Sequence, residues 1–201
     1  MNVHSWQGGP VRIEPGEGPV YGSDLKWVKD IIVWKQGDLD YACGPAALMT
    51  AALLVQAAEY KDCDFNKLRP AASCTRALTE GISLNDLRVF AENISSKIKL
   101  TPSPHLSMIE AKEAFPSVEQ SPQGVWLLRT RVHYRDPHTW AKTDEYDHII
   151  VVLGQRGDQL LVADPHPWAD NAISWVARDG LVHASKSPGW DTDAVFVSQE
   201  P

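Results

Sequence analysis

The stretch that most constrains the fold is QGDLDYACGPAALMTAALL, residues 36–54. Residues 45–60 have the pattern of one helix, built from small and almost wholly apolar residues. A helix that is apolar on nearly all faces has no solvent side, so other elements must surround it. It is also shorter than the roughly 20 apolar residues that a membrane span needs. The segment therefore predicts the central core helix of a folded domain. A cysteine stands at its start. Gly44 permits a close approach there, and Pro45 suits the first turn. Cys43 would sit at the positive end of the helix dipole, where a thiolate is stabilised. Gln36 lies seven residues upstream. A cysteine before a helix is often just a small buried hydrophobe, so a nucleophile here needs partners elsewhere in the chain.

A thiol nucleophile needs a base, and the base needs a group that orients it. The segment DEYDHIIVVLGQRGDQLLVADPHPW contains both types of residue. YDHIIVVLG reads as a strand, GQRGD as a turn, and QLLVADP as a second strand ended by Pro165. His148 lies six residues before Gly154, and Asp164 lies six after Asp158. In an antiparallel hairpin with that turn, His148 and Asp164 are cross-strand neighbours on one face. Ordinary structure could account for each alone, since Asp-Pro is common turn chemistry and a histidine at a strand start can simply be solvated. Together with Cys43 they form a coherent set.

On these residues the chain resembles the papain-like cysteine peptidases, in particular the bacterial branch that includes the double-glycine leader peptidases. The matching elements run in order: Gln36 and Cys43 in QGDLDYACGPAAL, the helix GISLNDLRVFAENI at 81–94, His148 in DHIIVVLG and Asp164 in VADP. The resemblance spans about Trp34 to Pro165, with a weaker tail to Ser198. It implies Cys43 as nucleophile, His148 as general base and acid, and Asp164 as the group that orients His148. It also implies that Gln36 serves the oxyanion hole beside the Cys43 backbone N–H. Two departures stand out: Ala42 precedes the cysteine where many relatives have Asp or Ser, and the Gln-to-Cys spacing is one residue longer than in papain. No cofactor and no metal are implied. The implied partner is a peptide or protein substrate, with an inhibitor or immunity protein as a further candidate. The same chemistry would also serve an effector or toxin domain acting as protease, deamidase or transglutaminase. A non-catalytic binding module of this fold is the third alternative.

The remaining sequence frames this set. Helices first and strands second predict an α+β domain over 31–201, with N-terminal helices packed on a C-terminal antiparallel sheet. Residues 1–30 read as an irregular Gly- and Pro-containing arm, or as a packed surface strand. In 81–94, Leu84, Leu87, Val89 and Phe90 are expected on one side and Ser83 as cap. Short helices are expected in 64–80 and 107–115, a strand at 124–132, and a closing strand at 194–198. The connection HYRDPHTWAKTDEYD is a candidate lid. His133, His138, Asp147, His148 and His166 raise the question of zinc, but their spacing fits no common site. A net charge of −7 argues against nucleic acid as a general partner. No run is long enough for a membrane span. The start lacks the blocks of a signal peptide, which points to the cytoplasm or to secretion by a route independent of a signal peptide. Three cysteines leave at least one thiol free. Cys63 and Cys74 could pair under oxidising conditions, or both could stay reduced as packing residues.

Overall fold

The computed structural model describes residues 9–13, 31–36, 42–65, 82–83, 87–103, 115, 117–118, 123–131, 147–166, 172–184 and 194–200. They form an α+β fold around a six-stranded antiparallel sheet. Two strands open the chain, β1 (Gly9–Ile13) and β2 (Ile31–Lys35), and they pair antiparallel as a separate ribbon. The N-terminal arm thus contributes a strand at 9–13. Then come α1 (Cys43–Leu54), a 3-10 turn (Tyr60–Asp62), α2 (Leu87–Ile94) and β3 (Ile98–Ser103). β4 (Gly124–Arg131), β5 (Asp147–Arg156), β6 (Gln159–Ala163) and β7 (Ile173–Ala177) make a meander. α3 (Arg178–Ala184) and β8 (Ala194–Gln199) follow. The sheet order is β3-β8-β4-β5-β6-β7, so β8 lies inside the sheet and β3 forms its edge. Neither β3 nor β7 was expected from sequence.

α1 is the central element that its composition demands. Residues from Gly44 to Ala52 are buried, and the helix packs on β2, α2 and the strands β4, β5 and β8. It stops at Leu54, six residues short of the expected 60. Gln56 takes φ +57, the Gln56 N–H donates to Leu53 O, and the Ala57 N–H donates to Ala52 O. These paired bonds are a Schellman cap with glutamine in the position that glycine usually fills. Without a glycine, the stop left little trace in the sequence. In α2, Leu87, Phe90, Ala91 and Ile94 are buried, at the spacing of one helical face. Val89 is exposed, against expectation, because two residues of helix turn it about 200° away from Leu87.

The β5–β6 hairpin forms, with a tighter turn than expected. Arg156 pairs with Gln159, so the loop is only Gly157 and Asp158. Gly157 has φ +55, the positive φ that the first central position of a type II′ hairpin turn demands. A register shift lies between Val152 and Gly154, an irregularity of the bulge kind. Arg178, buried beneath the turn, donates to Gln155 Oε1 and Gly157 O. Ile149, Val151 and Leu153 join the core around α1, while Ile150 and Val152 join a second core with Phe115, Leu160 and Leu181. Both sheet faces are therefore covered, which is why β5 reads as a continuous apolar run. The expected helices at 64–80 and 107–115, the candidate lid and Leu84 lie outside the described residues, apart from Asp64, Phe65, Phe115 and Asp147.

Candidate active site

Cys43 is the first residue of α1 and is half-buried. Ala42 offers no side-chain cap, and the first turn contains no acid. The field of the N-terminal N–H groups is therefore not neutralised by the helix itself. Gly44 makes the position possible. A Cβ there would lie 3.0 Å from Ile82 Cγ2 and 3.1 Å from Ile149 Cδ1, so a side chain would need both isoleucines to give way by a few tenths of an ångström.

His148, second in β5, and Asp164, just past the end of β6, are both only 4% exposed. The ring Nε2 lies 2.8 Å from Asp164 Oδ1, and the ring also hydrogen-bonds Cys43. With Nε2 on the carboxylate, Nδ1 is the nitrogen left for the thiol. The structure thus brings Cys43, His148 and Asp164 together. It does so in a register different from the expected one. Val151 pairs with Ala163, and extending that register sets residue 148 opposite 166 rather than 164. The His148 and His166 rings meet edge-on at 5.5 Å. Asp164 is then a diagonal neighbour, still within reach of an imidazole. The two-residue Gly-Asp loop by itself would set residue 148 opposite 167, and the register shift between Val152 and Gly154, which the sequence did not signal, moves the pairing by one more residue.

Burial alone depresses the His148 pKa, because desolvation disfavours the imidazolium. The charge and hydrogen bond of Asp164 and the hydrogen bond and charge of Cys43 together outweigh it, so the pKa rises from 6.5 to about 10. A proton shared in this way leaves an imidazolium between a carboxylate and a sulfur. The Nε2–H then donates to Asp164 Oδ1.

Gln36 is buried, and its backbone N–H donates to Pro165 O at 2.9 Å. This places it at the turn that carries Asp164. The neighbouring Lys35 extends its ammonium to Asp164 O at 3.0 Å and His166 O at 2.7 Å. Asp164 Oδ1 also accepts the His166 N–H at 2.8 Å. Sequence reasoning singled out neither Lys35 nor the backbone of His166 for these contacts. Among the described residues, no three His, Cys, Asp or Glu side chains are grouped to hold a metal ion. His133 and His138 lie outside them. Cys63 is a free, buried thiol, and Cys74 lies outside the described residues. No helix among the described residues is long and apolar enough to cross a membrane.

A nucleophilic sulfur, a base bonded to it and a carboxylate bonded to the base can move a proton and form a covalent acyl intermediate. No model of a known protein family matches the chain, and no curated protein matches it in sequence.

Proposed function

We propose that the chain is a cysteine peptidase of papain-like type, hydrolysing amide bonds through Cys43, His148 and Asp164. One observation carries this assignment: His148 is buried at the start of β5 and bonded both to Cys43 and to Asp164. A purely structural histidine seldom stands between a carboxylate and a thiol at a helix start. The raised pKa of the imidazole supports a resting imidazolium beside the Cys43 sulfur, ready to protonate a leaving amine.

In the first step the Cys43 sulfur attacks the substrate carbonyl carbon. The C=O π electrons move to oxygen, and the resulting oxyanion is held by the Cys43 backbone N–H and the Gln36 side chain. Each well-placed donor of this kind contributes roughly 3 kcal/mol. The C–N bond then breaks as the His148 imidazolium protonates the leaving amine, leaving a thioester on Cys43. His148, now neutral, takes a proton from water, which attacks the thioester and frees the acid and the thiolate.

The test is alkylation with about one equivalent of iodoacetamide from pH 5 to 8, with the modified residue mapped, followed by incubation with a peptide library. Selective labelling of Cys43 at pH values where a free thiol of pKa about 8.5 is inert is expected, with Cys43→Ala folded and devoid of turnover. Ammonia release without chain cleavage would redirect the assignment to a deamidase. Equal, slow labelling of Cys43 and Cys63 would overturn it in favour of a non-catalytic binding module.

A further inference from the structure

Asp164 lies beyond the last paired residue of β6, next to a proline that has no N–H for a strand ladder. Its carboxylate nonetheless has to hold one position against His148. Three consecutive carbonyls of this turn accept hydrogen bonds from the end of β2. Lys35 Nζ donates to Asp164 O at 3.0 Å and to His166 O at 2.7 Å, and the Gln36 N–H donates to Pro165 O at 2.9 Å. The other side of the turn is held too, because the Asp164 N–H donates to Ala172 O at 2.9 Å and the His166 N–H donates to Asp164 Oδ1 at 2.8 Å. A lysine on a surface strand usually carries its ammonium out to water. Here the ammonium engages two carbonyls that flank the proline, in bonds strengthened by its charge.

We infer that Lys35 is a positioning residue of the Cys43–His148–Asp164 set: bridging Asp164 O and His166 O, it locks the Asp-Pro-His turn and aims the Asp164 carboxylate at His148 Nε2. The catalytic consequence rests on the cysteine peptidase assignment; the effect on His148 does not. The two hydrogen bonds of the ammonium go to the backbone carbonyls of Asp164 and His166, so they act on His148 through the turn that carries Asp164. A reacting group misplaced by about 1 Å typically costs 100-fold in rate.

Three variants test this. Lys35→Met removes charge and donors, Lys35→Gln keeps donors without charge, and Lys35→Arg keeps both. In each, the His148 ring is titrated by NMR, and kcat and KM are measured on a cleaved peptide. In Lys35→Met the His148 titration is expected to fall by about one pH unit or more, a tenfold loss of proton affinity. Its kcat is expected to fall roughly 10- to 100-fold, with KM nearly unchanged. Lys35→Arg should recover most of both. If Lys35→Met does not fold, Lys35→Gln is expected to show a smaller loss in the same direction. An unchanged His148 titration in the folded neutral variants overturns the inference, as does a loss that Lys35→Arg fails to recover. The two levels separate cleanly. Wild-type protein with the high titration but no hydrolysis sinks the peptidase assignment and leaves the clamp standing. An active enzyme whose Lys35 variants titrate like wild type sinks the clamp alone.

Discussion

Water stabilises an imidazolium more than a protein interior does, so the proton on a buried His148 has to be held by its neighbours. Asp164 contributes most to that hold, through its charge and its bond to Nε2, and Cys43 adds to it. Asp164→Asn removes the charge while nearly conserving shape. Desolvation then dominates, and the His148 pKa falls. We expect the alkaline limb of the kcat/KM profile to move toward neutral pH and kcat to fall roughly 100- to 10,000-fold, with residual turnover from the sulfur and the oxyanion donors. A variant with the wild-type pH profile would mean that Asp164 does not govern the imidazole. At this scale the sequence exposed the side chains that react but not those that hold them. Cys43, His148 and Asp164 stand out because their chemistry at those spacings is unusual. Lys35 and the backbone of His166 act on carbonyls and a carboxylate across 131 and 2 positions, respectively, and a lysine at a strand end looks like any solvated one.

β2 is the element that ties the two halves of the site together. At one residue it is bonded to the nucleophile's helix, because the Trp34 N–H donates to Thr50 Oγ1 at 2.9 Å while Thr50 Oγ1 donates to Ala46 O at 3.0 Å. At the next two residues it is bonded to the turn that carries Asp164. Thr50 is 1% exposed, and its hydroxyl interrupts a helix that is otherwise apolar. Thr50→Val keeps the volume and leaves the buried Trp34 N–H without an acceptor, at a cost of about 1–3 kcal/mol. We expect a lower urea midpoint at unchanged slope; a wild-type midpoint would show that the bond adds nothing. Elements with strong periodicity or composition, such as α1, β4, β5 and β6, were legible in the sequence. The end of α1 was not, because a glutamine took the left-handed cap position. Nor were β3 and β7, edge strands of only six and five residues that the core next to them holds in place.

At the scale of the whole molecule, the sheet is covered on both faces, and the site sits where β2, α1, β5 and β6 converge. Burying a titratable constellation in such a place couples it to global stability. The folded protein binds the His148 proton more tightly than the unfolded chain, with a pKa of about 10 against 6.5. That contribution is complete below pH 6.5 and is lost as pH rises through about 10. Cys63 acts in the same direction at higher pH. Burial, with the charge of Asp62 adding to it, pushes the thiol from 9.0 up to about 12, so a further loss begins above pH 9. We therefore expect the thermal midpoint to be highest near and below neutral pH on the alkaline side of acid unfolding. It should then fall by about 10 °C toward pH 10, on the order of 3 kcal/mol for a chain of this size. Differential scanning calorimetry from pH 6 to 10.5 measures the slope, and His148→Gln assigns it. If the slope between pH 6.5 and 9 persists undiminished in His148→Gln, the proton it reports belongs elsewhere. If the slope flattens there and remains only above pH 9, the first loss belongs to the same imidazolium that is assigned to protonate the leaving amine, and the second to Cys63.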